Sequence, residues 1–345
     1  MTKKAKFGSK NTSVKSDSSV ISLVFKIVVS IFLTLYAIVL LYLLFWAFIN
    51  SMKAYSQFDF NAMGLPSKKA IEKFYETNPL GWVILPERLA EFEEAIRFGN
   101  YKKIFNFLRV EKRVGYFSWF SGDKAVQSYA NAGFIKLSIN TLLYAGFTTF
   151  AHVFVCYTTA YVTAKYKFKW SGVMYGFVVF SIGVPLIGSQ PAMVNTLQKF
   201  NLFSNWVGLF CMTATYGGMY YLVFFAFFES LPDSYIEAAE IDGASQLSVY
   251  FKIIIPLGIK TILTITLILF VSKWNDYSTA YIYTPTIPTL AFSVYELVHK
   301  SNAMFSAHEV HKMAGTLVLT IPLLILFVCL KDKIMGNVSA GGLKG

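Results

Sequence analysis

Two groups of side chains in this chain of 345 residues have the makings of a site. Lys273, Trp274, Asn275 and Asp276 form one. An aromatic face stacks on a ring-shaped solute while amide and charged groups take its hydroxyls, which is how a mostly apolar pocket gains orientation. The same four residues equally suit a helix end held at a membrane interface by a Trp and a Lys–Asp pair, and the sequence leaves both readings open. Glu237, Ala238, Ala239, Asp242, Gly243 and Ala244 form the other group. The alanines and the glycine have almost no side chain, so another protein's surface can come close to the backbone, with acidic groups beside it. By composition alone this group also describes an ordinary helical hairpin between two membrane spans.

Other candidate chemistry falls away on spacing. His308-Glu309-Val310-His311 sets its histidines three apart where the metalloprotease pattern needs four, so a solvated or interfacial segment is expected there. No GxxxxGK followed by Ser or Thr occurs, and nothing in the chain would cradle ATP phosphates. Cys156, Cys211 and Cys329 all fall in apolar runs; an odd number of such thiols makes no disulfide framework or metal-ligand spacing, and they read as packing residues. Gly172 and Gly176 form a GxxxG that either lets two helices approach or is chance in a chain with 22 glycines. Asp276 is the one clear acid in an apolar run and no internal repeat is found, which argues against an ion-driven carrier. With no nucleophile–base pair and no metal cluster, the chain is expected to be no enzyme, with no metal and no cofactor of its own.

The elements that must position these groups are membrane helices. A 55% share of hydrophobic residues, 33 Phe, 21 Tyr and 14% charged residues overrule the soluble two-domain expectation from length. Residues 1–20, with Lys3, Lys4, Lys6, Lys10 and Lys15, read as a basic cytoplasmic tail without a signal cleavage site; beside a span the positive-inside rule explains its charge better than a nucleic-acid arm does. Ile27 to Ile49, within segment 21–50, makes roughly 34 Å of apolar helix and is the first span. Segment 51–133 has mixed charge, turn clusters at Gly64-Leu65-Pro66 and Asn78-Pro79-Leu80-Gly81, and an amphipathic piece from Pro86 to Asn106, so it can fold outside the bilayer. Further spans are expected at about 135–163, 171–190, 206–228, 257–277 and 313–331, six in all, within a core of 134–331 followed by a tail of 332–345. Lys165, Lys167 and Lys169 in one short loop, with Lys331, Lys333 and Lys344 at the end, against Lys199 alone in loop 191–205, put both termini in the cytoplasm.

The stretch 229–256 then lies on the cytoplasmic side. Pro232 suits a first helical turn, with Asp233 and Glu237 near its positive end. Gly243 supplies a corner, Asp242 is expected to cap a second helix from Ala244 to Ile254, and Pro256 to close it. The order Glu237-Ala238-Ala239, Asp242-Gly243-Ala244, Phe251, Ile254, Pro256 resembles the EAA loop of permease subunits of bacterial binding-protein-dependent ABC importers. In that family the loop is the coupling helix seated in a cleft of the ATPase. Asn140, the stretch Ala160-Tyr161-Val162-Thr163-Ala164, the connection Asn201-Leu202-Phe203-Ser204-Asn205, the pair Trp274-Asn275, Thr289-Leu290, Met313-Ala314 and Ile321-Pro322 extend the resemblance to the MalG-like, carbohydrate-uptake branch, over about 20–50 and 134–345. The ending, with Ser339, Gly341 and Lys344, is similar to a tail that reaches toward the ATPase dimer interface.

The resemblance implies an all-α membrane protein of the type I ABC importer permease fold, six helices with a long extracytoplasmic segment between the first two. It implies a bacterial plasma-membrane subunit working with a second permease, an ABC ATPase dimer that holds the ATP and Mg, and an extracytoplasmic solute-binding protein that delivers a carbohydrate, an oligosaccharide by preference. Membrane lipid is a partner and nucleic acid is not. The alternative is a sensory or assembly subunit that docks an ATPase and translocates nothing. Three departures stand out: Lys260 where the family has a second proline, Lys273 where an apolar residue is usual, and the length of 51–133, read as a docking surface with Trp82, Tyr101, Tyr116 and Trp119.

Overall fold

The computed structural model describes residues 14–77, 81–115, 127–166, 168–184, 188–215, 217–299 and 308–335. Its residues fall into two compact units divided between Arg97 and Phe98.

The first unit opens with α1 (Val14–Ser51), apolar over three-quarters of its length and with large side chains from Leu23 to Phe45 exposed on every face. A helix of that kind needs lipid or another apolar partner around it. Lys53, just past its end, is fully buried and donates to the carbonyls of Asn61 (2.7 Å) and Ala62 (3.1 Å). Three short helices follow, α2 (Tyr55–Phe60), α3 (Lys68–Glu76) and α4 (Gly81–Ile96). Their small core holds Ala54, Ile71 and Phe92, with Phe60 stacked on Phe74 at 4.2 Å. Arg88 joins α4 to α2: it bonds both Glu91 oxygens at 3.0 Å and the Tyr55 hydroxyl, and its guanidinium also lies 5.0 Å from the Tyr55 ring centroid. Burial, with Glu91 beside it, pushes the Tyr55 hydroxyl above its ordinary pKa.

The second unit starts with α5 (Gly99–Phe107), a two-stranded antiparallel ribbon of β1 (Val110–Gly115) and β2 (Gln127–Ala132), and α6 (Phe134–Lys165). It continues through α7 (Ser171–Gly183), α8 (Ser189–Lys199), α9 (Trp206–Thr213), α10 (Met219–Ser230) and α11 (Ser234–Ile241). Then α12 (Gln246–Val249) runs through a π turn, Tyr250–Ile254, into α13 (Ile255–Trp274). Last come α14 (Ser278–Ile282), α15 (Leu290–His299) and α16 (Glu309–Met335).

α6 is the central element, packing against α7, α9, α10, α13 and α15. Along it lies an aromatic core: Tyr157, Tyr161, Tyr221, Phe224, Phe228 and Tyr250. The T-shaped pairs of Tyr157 with Phe224 and Phe228, at 5.0 and 4.8 Å, are the offset geometry that ring quadrupoles favour. A second core, Ile104, Leu108, Leu137, Leu290 and Ala314 among others, gathers α5, α15 and α16 at the Phe134 end of α6.

Several sequence expectations change. Among the described residues the regular elements are helices except for the ribbon, where Val110 and Ala132 face each other and are both buried in the second core. The amphipathic piece expected from Pro86 to Asn106 is two helices, because Phe98 takes a left-handed φ of 61°. Among the described residues four helices are long and apolar enough to cross a membrane: Ser22–Ser51, Phe134–Lys165, Gln246–Trp274 and Glu309–Lys331. The expected span 171–190 carries only the 13 residues of α7 before Val184 turns extended, and 206–228 is split between α9 and α10, where Gly218 has a φ of 93°. Pro256 does not close a helix; the π turn just before it changes the hydrogen-bond register, so a residue without an N–H sits in a continuous helix from Gln246 to Trp274. Gly172 and Gly176 have nothing within 4 Å of where a side chain would begin, so within the chain they mediate no close approach. Cys156 packs in the core, whereas Cys211 and Cys329 are exposed.

The close approach lies elsewhere. The Tyr157 hydroxyl donates to the Ile254 carbonyl at 2.7 Å and would collide with any Cβ at Gly258. Gly258→Ala is therefore expected to cost about 1–3 kcal/mol, the usual range for overpacking. Adding Tyr157→Phe should recover part of that loss; apparent melting temperatures of the purified variants in detergent check both.

Candidate functional site

The 229–256 stretch forms a two-helix loop. α11 ends at Ile241 with Asp242 as its C-cap, and Gly243 makes the corner with φ of 77°. Asp242 thus ends the first helix rather than starting the second. Ser245 has that role: its side chain accepts from the Ser248 N–H at 3.3 Å, with the extended backbone a cap requires. Of the six residues singled out, only Ala239 is buried; Glu237, Ala238, Asp242 and Gly243 are exposed and Ala244 is half-buried. Nothing lies within 4 Å of a Cβ built on Gly243, so its requirement is conformational.

The loop is firmly mounted. Lys165 at the end of α6 donates to the Leu231 carbonyl and pairs with Asp233 at 2.6 Å. Tyr166 bonds Gln246, whose amide donates to Glu240 at 2.6 Å, and Thr158 and Tyr250 share a bond of 2.6 Å. Ala239, Val249 and Tyr250 belong to the aromatic core itself. Against this anchored inner side, Ile241 and Leu247 flank the corner with 87% and 72% of their surface exposed. Two branched apolar side chains held out beside a glycine corner are a surface awaiting a partner. Sequence reading missed both, because an exposed apolar residue in an apolar chain gives no signal until its face is known.

The Lys273–Asp276 group divides. Trp274 is buried and its Nε1 donates to the Leu319 carbonyl of α16 at 3.1 Å. Asp276 accepts from the Tyr144 hydroxyl (2.6 Å), from the Thr279 hydroxyl (2.6 Å) and N–H (3.0 Å), and from Ser278 (2.9 Å). Both therefore tie the end of α13 to neighbouring elements. Asn275 is exposed, its amide turned back to the Val271 carbonyl at 3.0 Å, and Lys273 is half-buried. Tyr144 lies ten residues into α6, so this group sits about 15 Å along that helix from Phe134.

Motifs far apart in sequence meet at the Phe134 end. Asn140 donates to the Pro288 carbonyl at 2.9 Å, and Thr141 accepts the Leu290 N–H at 2.7 Å, so the Asn140 and Thr289-Leu290 segments form one joint. In the 201–205 connection, Asn201 and Ser204 have φ of 55°, Asn205 caps α9 by accepting from Gly208 at 2.7 Å, and Ser204 bonds Thr286 at 2.6 Å. His152 and Cys156 reach into the α9–α10 break, bonding the carbonyls of Thr213 (3.0 Å) and Thr215 (3.3 Å). Of the histidine pair, His311 meets the Phe107 ring at 5.7 Å while Glu309 pairs with Lys312 at 2.7 Å. Ser339, Gly341 and Lys344 lie outside the described residues.

Fold and loop define a polytopic helical membrane subunit with a rigidly mounted, outward-facing apolar corner. Residues 157–333 match the family described as the binding-protein-dependent transport system inner membrane component, and the chain belongs to that family. It is 26% identical over 215 residues to the trehalose transport system permease protein SugB of Mycobacterium tuberculosis, covering 61% of this chain and 78% of that one. It is 25% identical over 231 residues to the galactooligosaccharides transport system permease protein GanQ of Bacillus subtilis, covering 66% and 78%. The crystal structure of a bacterial ABC transporter that imports the acidic polysaccharide alginate superposes with a TM-score of 0.63 at 19% identity, over 95% of this chain and 99% of that chain; at that identity the likeness speaks for the fold alone. The chain is thus a permease subunit of an ABC importer, a multi-pass protein of the plasma membrane, and not an enzyme.

Asp276→Ala would leave the Tyr144 and Thr279 donors without their acceptor, and groups so stranded cost about 1–3 kcal/mol each. The purified subunit complex is expected to melt several degrees lower, which thermal unfolding in detergent measures.

Proposed function

We propose that this chain lines, with a second permease, the translocation path for a carbohydrate handed over by a solute-binding protein, and that 229–256 is its lever on an ABC ATPase dimer. The observation that carries the reading is the exposed Ile241–Gly243–Leu247 corner, fixed from behind by Lys165 and the aromatic core. A rigid mounting transmits a push; a loop free to fold back would absorb it. Relatives named for trehalose and galactooligosaccharide transport support a saccharide as the cargo.

Six crossings follow if α7 and the α9–α10 pair are counted with the four long helices. α7 spans only about 20 Å against a hydrocarbon core of about 30 Å, so it crosses with help from neighbours or a thinned bilayer. Both termini then lie in the cytoplasm, as the lysine distribution requires. The bonds within the second unit support the alternation: Lys165 joins Asp233, and Tyr166 joins Gln246, at one end, while Asn140 joins Pro288, and Ser204 joins Thr286, at the other. The segment 51–133 lies outside, where a binding protein docks. ATP and Mg belong to the ATPase, whose closure opens the path outward and whose hydrolysis resets it.

The test is affinity purification of the complex from its native membrane, with an ATPase assay. A second permease and a Walker-A ATPase should accompany the chain. Ile241→Asp with Leu247→Asp should strip away the ATPase. Gly243→Val, forced into a left-handed φ that β-branched residues rarely take, should lower solute-stimulated hydrolysis at least tenfold, while Gly243→Asn should retain most of it. Full stimulation in a normally assembled Gly243→Val complex would remove the lever role.

A further inference from the structure

A groove of about 250 Å³ runs between α6 and α13. Its walls include Phe150 and Phe154 from one helix and Ile262, Thr266 and Phe270 from the other. Two polar features distinguish it from a lipid-facing furrow. Thr149 lines it, is 2% exposed, and its hydroxyl has no hydrogen-bond partner among the described residues. Lys273 follows Phe270 by one turn on the same face of α13, continuing the stripe Ile255, Ile262, Thr266, Phe270.

Lys273 is half-buried and forms no ion pair within 4 Å among the described residues. Asp276, the nearest acid in sequence, has its carboxylate oxygens taken by Tyr144, Thr279 and Ser278. His152 also lies in electrostatic range of Lys273, and it is no counter-ion for a lysine. Lys273 also lies about 20 Å along α6 from Phe134, one turn deeper than Asp276. A cation at bilayer depth is costly and faces a path or a partner rather than lipid.

We infer that the α6–α13 groove is this subunit's wall of the translocation path and that Lys273, at its head, selects a saccharide bearing an anionic group such as a uronate carboxylate. Aromatic side chains offer faces to the sugar rings, the Thr149 hydroxyl takes a ring hydroxyl, and the Lys273 ammonium pairs with the carboxylate as it passes. The inference rests on the carbohydrate reading above and adds the charge of the cargo.

The experiment is uptake by cells carrying the complete importer, with labelled trigalacturonate as the anionic probe and maltotriose as the neutral one. Trigalacturonate should accumulate and maltotriose should not compete with it. Lys273→Met should reduce trigalacturonate uptake at least tenfold, mainly through a higher KM, and Lys273→Arg should keep it within threefold. Copurification of the ATPase with each variant confirms assembly. Normal trigalacturonate uptake in Lys273→Met, or uptake of maltotriose alone by the wild type, overturns the anionic selectivity and leaves the carbohydrate reading standing. Uptake of neither saccharide by an assembled importer overturns both.

Discussion

A backbone carbonyl without a donor is expensive in hydrocarbon, and the second unit of this protein is arranged around that constraint. α6 serves as a rail of donors. Tyr157 reaches the Ile254 carbonyl where the π turn shifts the helical register, and His152 and Cys156 reach the carbonyls of Thr213 and Thr215 where α9 gives way to α10. Trp274 of α13 likewise donates to the Leu319 carbonyl of α16. Irregular backbone at membrane depth is tolerable because these side chains cover it. Each irregularity is then locked to a neighbouring helix.

That locking links the coupling loop to the groove. The loop continues without interruption through the π turn into α13, and Gly258 lets Tyr157 sit against that helix at the point of register change. A displacement of α12 would therefore carry into α13 as a body, the same helix that contributes Ile262, Thr266 and Phe270 to the groove. The loop and the groove lie along one continuous helix, braced by one aromatic core.

Much of this was legible in the residues. The long apolar runs at α1, α6, α13 and α16 announce themselves, and the Glu237–Ala244 order marks a loop with a glycine corner that takes a positive φ. What misled was local chemistry read without neighbours. Asp242 is a good cap by type, yet Ser245 has the extended backbone that capping needs. Pro256 reads as a stop, but a π turn accommodates it. Gly172 and Gly176 have the spacing of a helix contact, while Gly258, which no motif marks, is a glycine that does meet a neighbour closely.

The sequence by itself determined the class of protein: a helical membrane subunit with an acidic, small-residue loop, because burial of apolar surface and the αL preference of glycine are properties of composition and order. Only the tertiary structure decided which members of a cluster face inward. Lys273, Trp274, Asn275 and Asp276 are consecutive and look like one site, but a helix turns about 100° per residue, so neighbours in sequence point to different surroundings. Trp274 is buried against α16, Asp276 is bound to α6, and Lys273 is half-buried with no ion pair among the described residues.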